Sequence, residues 1–133
     1  MTYYFDMDGV IANFHKEPYK YSNAINKNWI ANLEPFQHNI DLIKRLINEG
    51  HKVYILSKAA SNDAKQGKYE WLNRYLSQIH KDNIIIIVGN GKKCDYIREE
   101  GILVDDDIKN CRQWEKAEHK YYLVENKGDM VRL

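Results

Sequence analysis

The chain has 133 residues, of which 44% are hydrophobic and 29% are charged. This length fits one globular domain with a full hydrophobic core, so we expect a single domain over residues 1–133. Its 20 Lys and Arg against 19 Asp and Glu give a net charge of +1, which indicates neither a strong nucleic-acid surface nor an acidic tail. We therefore expect the partners to be small molecules.

The cysteine content and the length of the apolar runs bear on the cellular location of the protein. Two cysteines are too few for a disulfide framework, and no secretory leader pattern precedes the first expected strand. The longest strongly apolar run, residues 84–88, is far shorter than the ~20 residues that span a bilayer. These features predict a cytoplasmic protein without a membrane segment, and they leave its oligomeric state open.

Hydrophobic periodicity predicts strands that alternate with helices. The predicted strands are 2–6, 52–57, 83–88, 101–104 and 120–125. The predicted helices are 36–50, one that begins at residues 61–63 and whose apolar stripe runs to Ile79, and 108–118. This alternation is typical of an α/β domain with a mostly parallel sheet, because parallel neighbours need a long crossover connection.

Polar side chains follow the predicted strands, and the carboxyl ends of parallel strands meet at one edge of the sheet. These residues are Asp6 and Asp8, then Ser57, then Lys92 and Lys93, then Asp105, Asp106 and Asp107. Each pair of carboxylates brought to 4 Å repels by about 4 kcal/mol at an effective dielectric of ~20, so the group needs a cation. Mg²⁺ suits such ligands, since proteins hold it with one or two carboxylates, water and substrate phosphate.

Each signal also has an ordinary explanation. Asp-x-Asp-Gly occurs in turns and opens calcium loops, although Val10 and Asn13 do not continue the calcium pattern. Asp107 is expected to sit at a solvated helix N-terminus, and Ser57 to act either as a cap or at the site. Ser57 lacks the Gly-x-Ser-x-Gly turn of serine hydrolases, and the histidines lack zinc-ligand spacing.

Four motifs resemble the haloacid-dehalogenase-like (HAD-like) phosphohydrolases and, within them, the 5'(3')-deoxyribonucleotidase group. They are the opening segment Phe-Asp-Met-Asp-Gly-Val-Ile-Ala-Asn-Phe at 5–14, Tyr-Ile-Leu-Ser at 54–57, Lys93 with Lys92 as the alternative register, and the acidic segment at 103–110. Residues 68–72, Lys-Tyr-Glu-Trp-Leu, are similar to a helix of the same group. The resemblance implies a Rossmann-like three-layer sandwich with a mostly parallel five-stranded sheet and a small cap after the first strand, here residues 13–35.

The resemblance also implies roles for individual residues. Asp6 would be the nucleophile that forms an aspartyl-phosphate, and Asp8 the general acid and base. Ser57 and Lys93 would bind phosphate together with the Met7–Gly9 loop. The implied Mg²⁺ ligands are the Asp6 carboxylate, the Asp8 main-chain carbonyl and Asp106, with Asp105 in support.

The sequence gives less information about the substrate than about the catalytic residues. The insert contains Phe14, Tyr19, Tyr21 and Trp29, whose rings either stack on a base or pack against the core. We count Trp29, Lys58 and Lys92 as candidate substrate contacts. The insert looks shorter than the cap of the nucleotidases it resembles, which bears on nucleotide specificity.

The leading hypothesis is therefore a Mg²⁺-dependent phosphomonoesterase that acts on nucleoside monophosphates. A phosphatase of a polynucleotide end or of a sugar phosphate is the alternative within the class. A receiver-like Mg²⁺-binding signalling module is the alternative from another class, although the second Asp of the Asp-x-Asp pair has a proton-transfer task that a receiver lacks.

Overall fold

The structure, a computed structural model, describes residues 1–14 and 26–133. Its strands are β1 (Thr2–Phe5), β2 (Lys52–Ala59), β3 (Ile84–Val88), β4 (Ile102–Asp105) and β5 (Tyr121–Leu123). Its α-helices are α1 (Lys27–Ala31), α2 (Gln37–Asn48), α3 (Asn62–Tyr75) and α4 (Ile108–Lys116). Short 3₁₀ helices cover Lys81–Asn83 and Lys93–Tyr96.

The five strands form one sheet in the order β3-β2-β1-β4-β5, and every neighbouring pair is parallel. The predicted α/β fold with a five-stranded sheet is confirmed. β1 lies at the centre, which explains why Tyr3, Tyr4 and Phe5 are all buried. Buried central strands read as continuous apolar runs because helices cover both faces.

Alternate strand residues face two separate cores. Tyr3 and Phe5 pack in the core that α2 and α3 cover, whereas Tyr4 packs in the core that contains Trp114 of α4. Because successive side chains of a strand point to opposite faces, these two cores lie on opposite sides of the sheet. The result is the three-layer arrangement of helix, sheet and helix.

The register of the parallel strands places polar residues that are distant in the sequence side by side at one end of the sheet. Phe5 of β1 pairs with Ile55 of β2 and with Val104 of β4. The Asp6 amide then donates to the Val104 carbonyl at 2.9 Å, so Asp6 and Asp105 leave neighbouring strands side by side.

Several element ends differ from the predictions, and two of these differences have a cause in the packing. β2 runs two residues further, to Ala59, because β3 pairs with its last residues up to Ala59 and Val88. α3 ends at Tyr75, although its apolar stripe was predicted to run to Ile79. Leu76 leaves the helical conformation at φ −137°, yet it and Ile79 remain buried in a turn. The apolar spacing therefore marked core contacts rather than the length of the helix.

Part of the predicted insert at 13–35 lies outside the described residues. Tyr19 and Tyr21 belong to that part. Its described part contains α1, which packs against α3. None of the helices formed by residues 1–14 and 26–133 has the length and apolar character needed to cross a membrane.

Candidate active site

A cavity of about 560 Å³ opens at the carboxyl ends of the central strands, within the range of ~300–1,000 Å³ usual for small-ligand sites. Its floor contains the buried Asp6 and Lys93, and its rim contains the exposed Asp106 and Lys127. The complete lining is Asp6, Asp8, Gly9, Phe14, Lys58, Lys93, Asp106, Asp107, Asn110 and Lys127.

Lys93 joins carboxylates from the two halves of the chain. Its Nζ lies 2.9 Å from Asp6 Oδ1 and 2.7 Å from Asp105 Oδ2, and its side chain is only 2% exposed. Burial alone would lower the pKa of Lys93, but the charges of Asp6 and Asp105 raise it above the ordinary value. Lys93 is therefore a permanent cation beside Asp6.

Asp105 accepts hydrogen bonds from three donors. Its Oδ1 accepts from the Asp107 amide at 3.0 Å, and its Oδ2 accepts from Lys93 and from Asn110 Nδ2 at 3.2 Å. Asp107 in turn caps α4, as its sequence position predicted, by accepting from the Lys109 amide at 2.8 Å. Asp105 thus fixes the position of Lys93 within the cavity.

Asp106 lies against the tight loop that follows β1. In this loop the amides of Ile11 and Ala12 both donate to the Met7 carbonyl at 2.9 Å, and Gly9 adopts φ +81°. A Cβ at Gly9 would overlap the Asp106 carboxylate. Only glycine therefore fits here, because it permits both the left-handed backbone and the close approach of Asp106.

Lys68 of α3 is a site residue that the sequence reasoning missed. Its Nζ donates to Asp8 Oδ2 at 2.9 Å, to Ser57 Oγ at 2.7 Å and to the Lys58 carbonyl at 2.7 Å. The side chain is 1% exposed, so the ammonium uses all three of its donors inside the protein. A signal was available, since Lys68 falls on the helical stripe of buried residues that includes Trp71.

The two carboxylates of the Asp-x-Asp pair have opposite pKa shifts. Burial would raise the pKa of Asp6, but the charges of Lys93 and Lys68 outweigh it and hold the pKa below the ordinary value. Burial raises the pKa of Asp8, and the Lys68 charge does not fully offset burial and the nearby Asp6 carboxylate. Asp6 is therefore the anion of the pair, and Asp8 binds a proton more readily.

The unpartnered atom of Asp8 shows where that proton can reside. Asp8 Oδ1 is buried and has no hydrogen-bond partner among the described residues, while Oδ2 accepts from Lys68. A proton on Oδ1 leaves the Lys68 contact intact. Asp8 also lines the cavity, where its protonated carboxyl group can donate to a ligand.

Three carboxylates form a candidate cation site. Oxygen atoms of Asp6, Asp105 and Asp106 lie within 4.8 Å of one another. Partial burial of the Asp106 carboxyl group, together with the charges of Asp6 and Asp105, raises the pKa of Asp106 to about 8. The Asp8 main-chain carbonyl accepts no hydrogen bond from residues 1–14 or 26–133. An all-oxygen donor set with excess negative charge fits a hard divalent cation such as Mg²⁺.

Other sequence candidates lie at the edge of this arrangement or away from it. Lys58 lines the cavity, and its Nζ donates to Asn110 Oδ1 at 3.3 Å. Ser57 is fully buried against Lys68, and the Met7 side chain is buried in the core.

Two candidate substrate contacts lie outside the cavity lining. Lys92 is exposed beside the 3₁₀ helix that carries Lys93. Trp29 lines a smaller surface pocket and meets the Phe14 ring edge-on at 5.5 Å.

Asn110 and Lys127 are further cavity residues that the sequence reasoning missed. Asn110 lies within the acidic segment, three residues after Asp107 at the start of α4, so helical spacing from Asp107 could have identified it. Lys127 lies beyond β5, where no local pattern marks it.

Solved structures share this fold at low sequence identity. The class C acid phosphatase from Bacillus anthracis is 17% identical with a TM-score of 0.66, and the match covers 96% of this chain and 67% of that one. The D,D-heptose 1,7-bisphosphate phosphatase from Burkholderia thailandensis is 14% identical with a TM-score of 0.64 over 94% and 78%. A hydrolase from Pseudomonas syringae is 13% identical with a TM-score of 0.60 over 91% and 82%.

A family model matches most of the chain. The model describes the "5' nucleotidase, deoxy (Pyrimidine), cytosolic type C protein" family and matches residues 15–127. This range contains Ser57, Lys68, Lys93 and the acidic segment, and it begins after the Asp6–Asp8 pair. None of the curated proteins matches the chain. The chain therefore belongs to the deoxy-pyrimidine 5'-nucleotidase family of cytosolic type C, and it is a phosphoric monoester hydrolase with the HAD-like fold.

Proposed function

We propose that this enzyme is a Mg²⁺-dependent phosphatase of nucleoside monophosphates that works through an aspartyl-phosphate on Asp6. The observation that carries the proposal is the division of the Asp6–Asp8 pair into an anion held by Lys93 and a carboxyl group that binds a proton readily. Two carboxyl groups whose environments push their pKa values apart can divide the roles of nucleophile and acid.

In the first step the Asp6 carboxylate attacks the phosphorus atom of the substrate. A bond forms between Asp6 and phosphorus while the bond from phosphorus to the leaving oxygen breaks. Asp8 gives its proton to that oxygen, which leaves as an alcohol. General acid catalysis of this kind contributes about 10²- to 10⁴-fold to a rate.

In the second step Asp8 is a carboxylate and acts as the base. It takes a proton from water as the water oxygen attacks phosphorus, and the bond between phosphorus and Asp6 breaks. Inorganic phosphate leaves, and Asp6 is again an anion beside Lys93. Lys68 stabilises the charged form of Asp8 that this step requires.

The phosphoryl group needs positive charge throughout. Lys93 lies on the cavity floor and Lys58 further along the lining, so both can face phosphate oxygens. Asp6, the Asp8 carbonyl and Asp106 would hold Mg²⁺, with Asp105 in support through Lys93. The ion would supply charge neutralisation for the carboxylates and the phosphoryl oxygens.

Membership of the nucleotidase family supports a nucleotide as the substrate, and the cavity is large enough for a small phosphorylated molecule. In this proposal residues 1–133 act as one domain with residues 13–35 as a minimal cap, of which Phe14 already lines the cavity. The cytosolic type named in the family description supports a cytoplasmic location.

The test is release of inorganic phosphate from a panel of esters with added Mg²⁺. The panel contains thymidine 5'-monophosphate, a sugar phosphate, a 5'-phosphorylated oligonucleotide and p-nitrophenyl phosphate. We expect turnover that favours the nucleoside monophosphate over the sugar phosphate and the oligonucleotide, is lost on chelation and returns with Mg²⁺ but not with Zn²⁺ alone. Absence of phosphate release from every ester in Mg²⁺ would contradict the proposed activity.

A further inference from the structure

The chain after β5, residues 124–131 (the C-terminal segment), folds back onto the loop that follows β1. The Gly128 amide donates to the Gly9 carbonyl at 2.9 Å. The fully buried Asn39 of α2 donates to the carbonyls of Val10 and Asp129 at 2.8 and 2.9 Å, and it accepts from the Val131 amide at 2.9 Å. One buried amide thus joins the loop that follows β1 to the C-terminal segment.

The backbone next to Lys127 is fixed as well. His38 Nε2 donates to the Gly128 carbonyl at 2.7 Å. Gly128 has φ +79°, and a Cβ there would meet the ring of Phe36. These contacts set the direction in which the chain presents the residue before Gly128.

The Lys127 side chain lines the cavity, and its charge forms no ion pair with the residues that the structure describes. Its Nζ makes a long hydrogen bond of 3.4 Å to the Phe14 carbonyl. None of the ion pairs within residues 1–14 and 26–133 involves Lys127. By contrast, Lys93 and Lys68 are both bound to carboxylates. Among residues 1–14 and 26–133, Lys127 is thus a cation at the rim whose hydrogen-bond partner is a neutral oxygen.

The position of Lys127 at the rim of the cavity determines which part of a substrate it can contact. The transferred phosphate belongs on the floor, beside Asp6 and Lys93, which are 7% and 2% exposed. The leaving group must then extend towards the exposed rim, where Lys127 and Phe14 lie together. A lysine ammonium is a compact charge that pairs well with phosphate oxygens.

We propose that Lys127 is a specificity-determining residue that binds a second phosphate group, one carried by the leaving group of the substrate. This inference rests on the proposed phosphatase function of the same cavity. The second phosphate is either a monoester on the same sugar, as in a nucleoside 3',5'-bisphosphate, or the first phosphodiester of a 5'-phosphorylated dinucleotide.

The experiment compares kcat and KM for four substrates: thymidine 5'-monophosphate, thymidine 3',5'-bisphosphate, 5'-phosphorylated dithymidine and p-nitrophenyl phosphate. For at least one of the two substrates with a second phosphate, we expect a KM about tenfold below that of the monophosphate, as one charge-assisted hydrogen bond provides. Lys127→Ala should abolish this difference, and Lys127→Arg should retain most of it. Lys116→Ala, a change to an exposed lysine of α4, is the matched control and should keep the wild-type preference.

The outcomes distinguish a failure of the role proposed for Lys127 from a failure of the proposed phosphatase function. Equal KM values for all nucleotides in the wild-type enzyme overturn the role of Lys127, and so does a loss in Lys127→Ala that is the same for every ester, p-nitrophenyl phosphate included. Absence of turnover with all four substrates overturns the proposed function instead. Binding of the monophosphate and the bisphosphate to the Asp6→Asn protein then still tests Lys127, and equal affinities overturn its role.

Discussion

Replacing Lys68 by Met removes the ammonium that binds Asp8 while it keeps an unbranched side chain in the helix. Asp8 Oδ2 and Ser57 Oγ each lose a bond to the ammonium, of 2.9 and 2.7 Å. The Lys68 charge also lowers the pKa of both Asp6 and Asp8. Without it both pKa values rise. Asp8 then stays protonated up to a higher pH than in the wild-type enzyme, and Asp6 becomes an anion only at a higher pH.

The size of the effect follows from the value of a hydrogen bond to a charged group, about 1.5–3 kcal/mol. If the bond to Asp8 is needed in the rate-limiting step, kcat falls by about 10- to 150-fold, since ~1.36 kcal/mol is a factor of ten. Stability falls by about 1–3 kcal/mol, because Asp8 keeps some contact with solvent and can take up a proton.

The sign of the pH effect on stability follows from the raised pKa of Asp8. A carboxyl group with a folded-state pKa above its unfolded value leaves stability intact below the unfolded pKa and lowers it as the pH rises through the folded pKa. Lys68→Met should therefore lose more stability at pH 8 than at pH 4.5, which urea unfolding measures.

The kinetic assay is the pH profile of kcat for Lys68→Met, with Lys65→Met as the control. Lys65 belongs to the same helix, and its ammonium lies 5.9 Å above the Tyr69 ring rather than in the cavity. We expect the acidic limb of the profile to move to higher pH in Lys68→Met only. A fall in kcat of equal size at every pH would show that Lys68 supports the fold and not the acid–base group.

Three further changes test other parts of the site. Asp6→Asn should abolish phosphate release with an unchanged circular dichroism spectrum, and wild-type-like hydrolysis would disprove its role as the nucleophile. Asp8→Asn should slow alkyl phosphates far more than aryl phosphates, which need little protonation of the leaving group; an equal loss for both contradicts the acid role. Gly9→Ala should weaken Mg²⁺ binding in titration calorimetry because the new Cβ displaces Asp106, so an unchanged affinity refutes the placement. Because the pKa of Asp106 is raised to about 8 without the ion, Mg²⁺ affinity in the wild-type protein should increase from pH 6 to 8 as the proton is lost; a constant affinity is inconsistent with that placement.

Convergence of the acidic residues was predictable from the sequence. Strands that alternate with helices form a mostly parallel sheet, and the carboxyl ends of all its parallel strands lie at one edge. This reasoning required only that Asp6 and Asp105 each follow a strand, and their carboxylates do lie within 4.8 Å of each other and of Asp106.

Contacts that depend on tertiary packing were not predictable in the same way. A lysine within a helix is normally a solvent-exposed residue, and only the 60-residue separation from Asp8, closed by the fold, makes Lys68 part of the site. Lys127 reaches the cavity because Asn39, some 90 residues earlier, holds the C-terminal segment in place. The end of α3 was missed for a related reason, since Leu76 and Ile79 fill the core from a turn rather than from the helix.

The most direct test of the catalytic account is chemical trapping of the covalent intermediate. Borohydride added during turnover of thymidine 5'-monophosphate reduces an aspartyl-phosphate to an alcohol, which mass spectrometry of the digested protein can locate. The account predicts reduction at Asp6 alone, dependent on substrate and absent in Asp6→Asn. Reduction at another carboxylate, or steady phosphate release without any modification of Asp6, would contradict it.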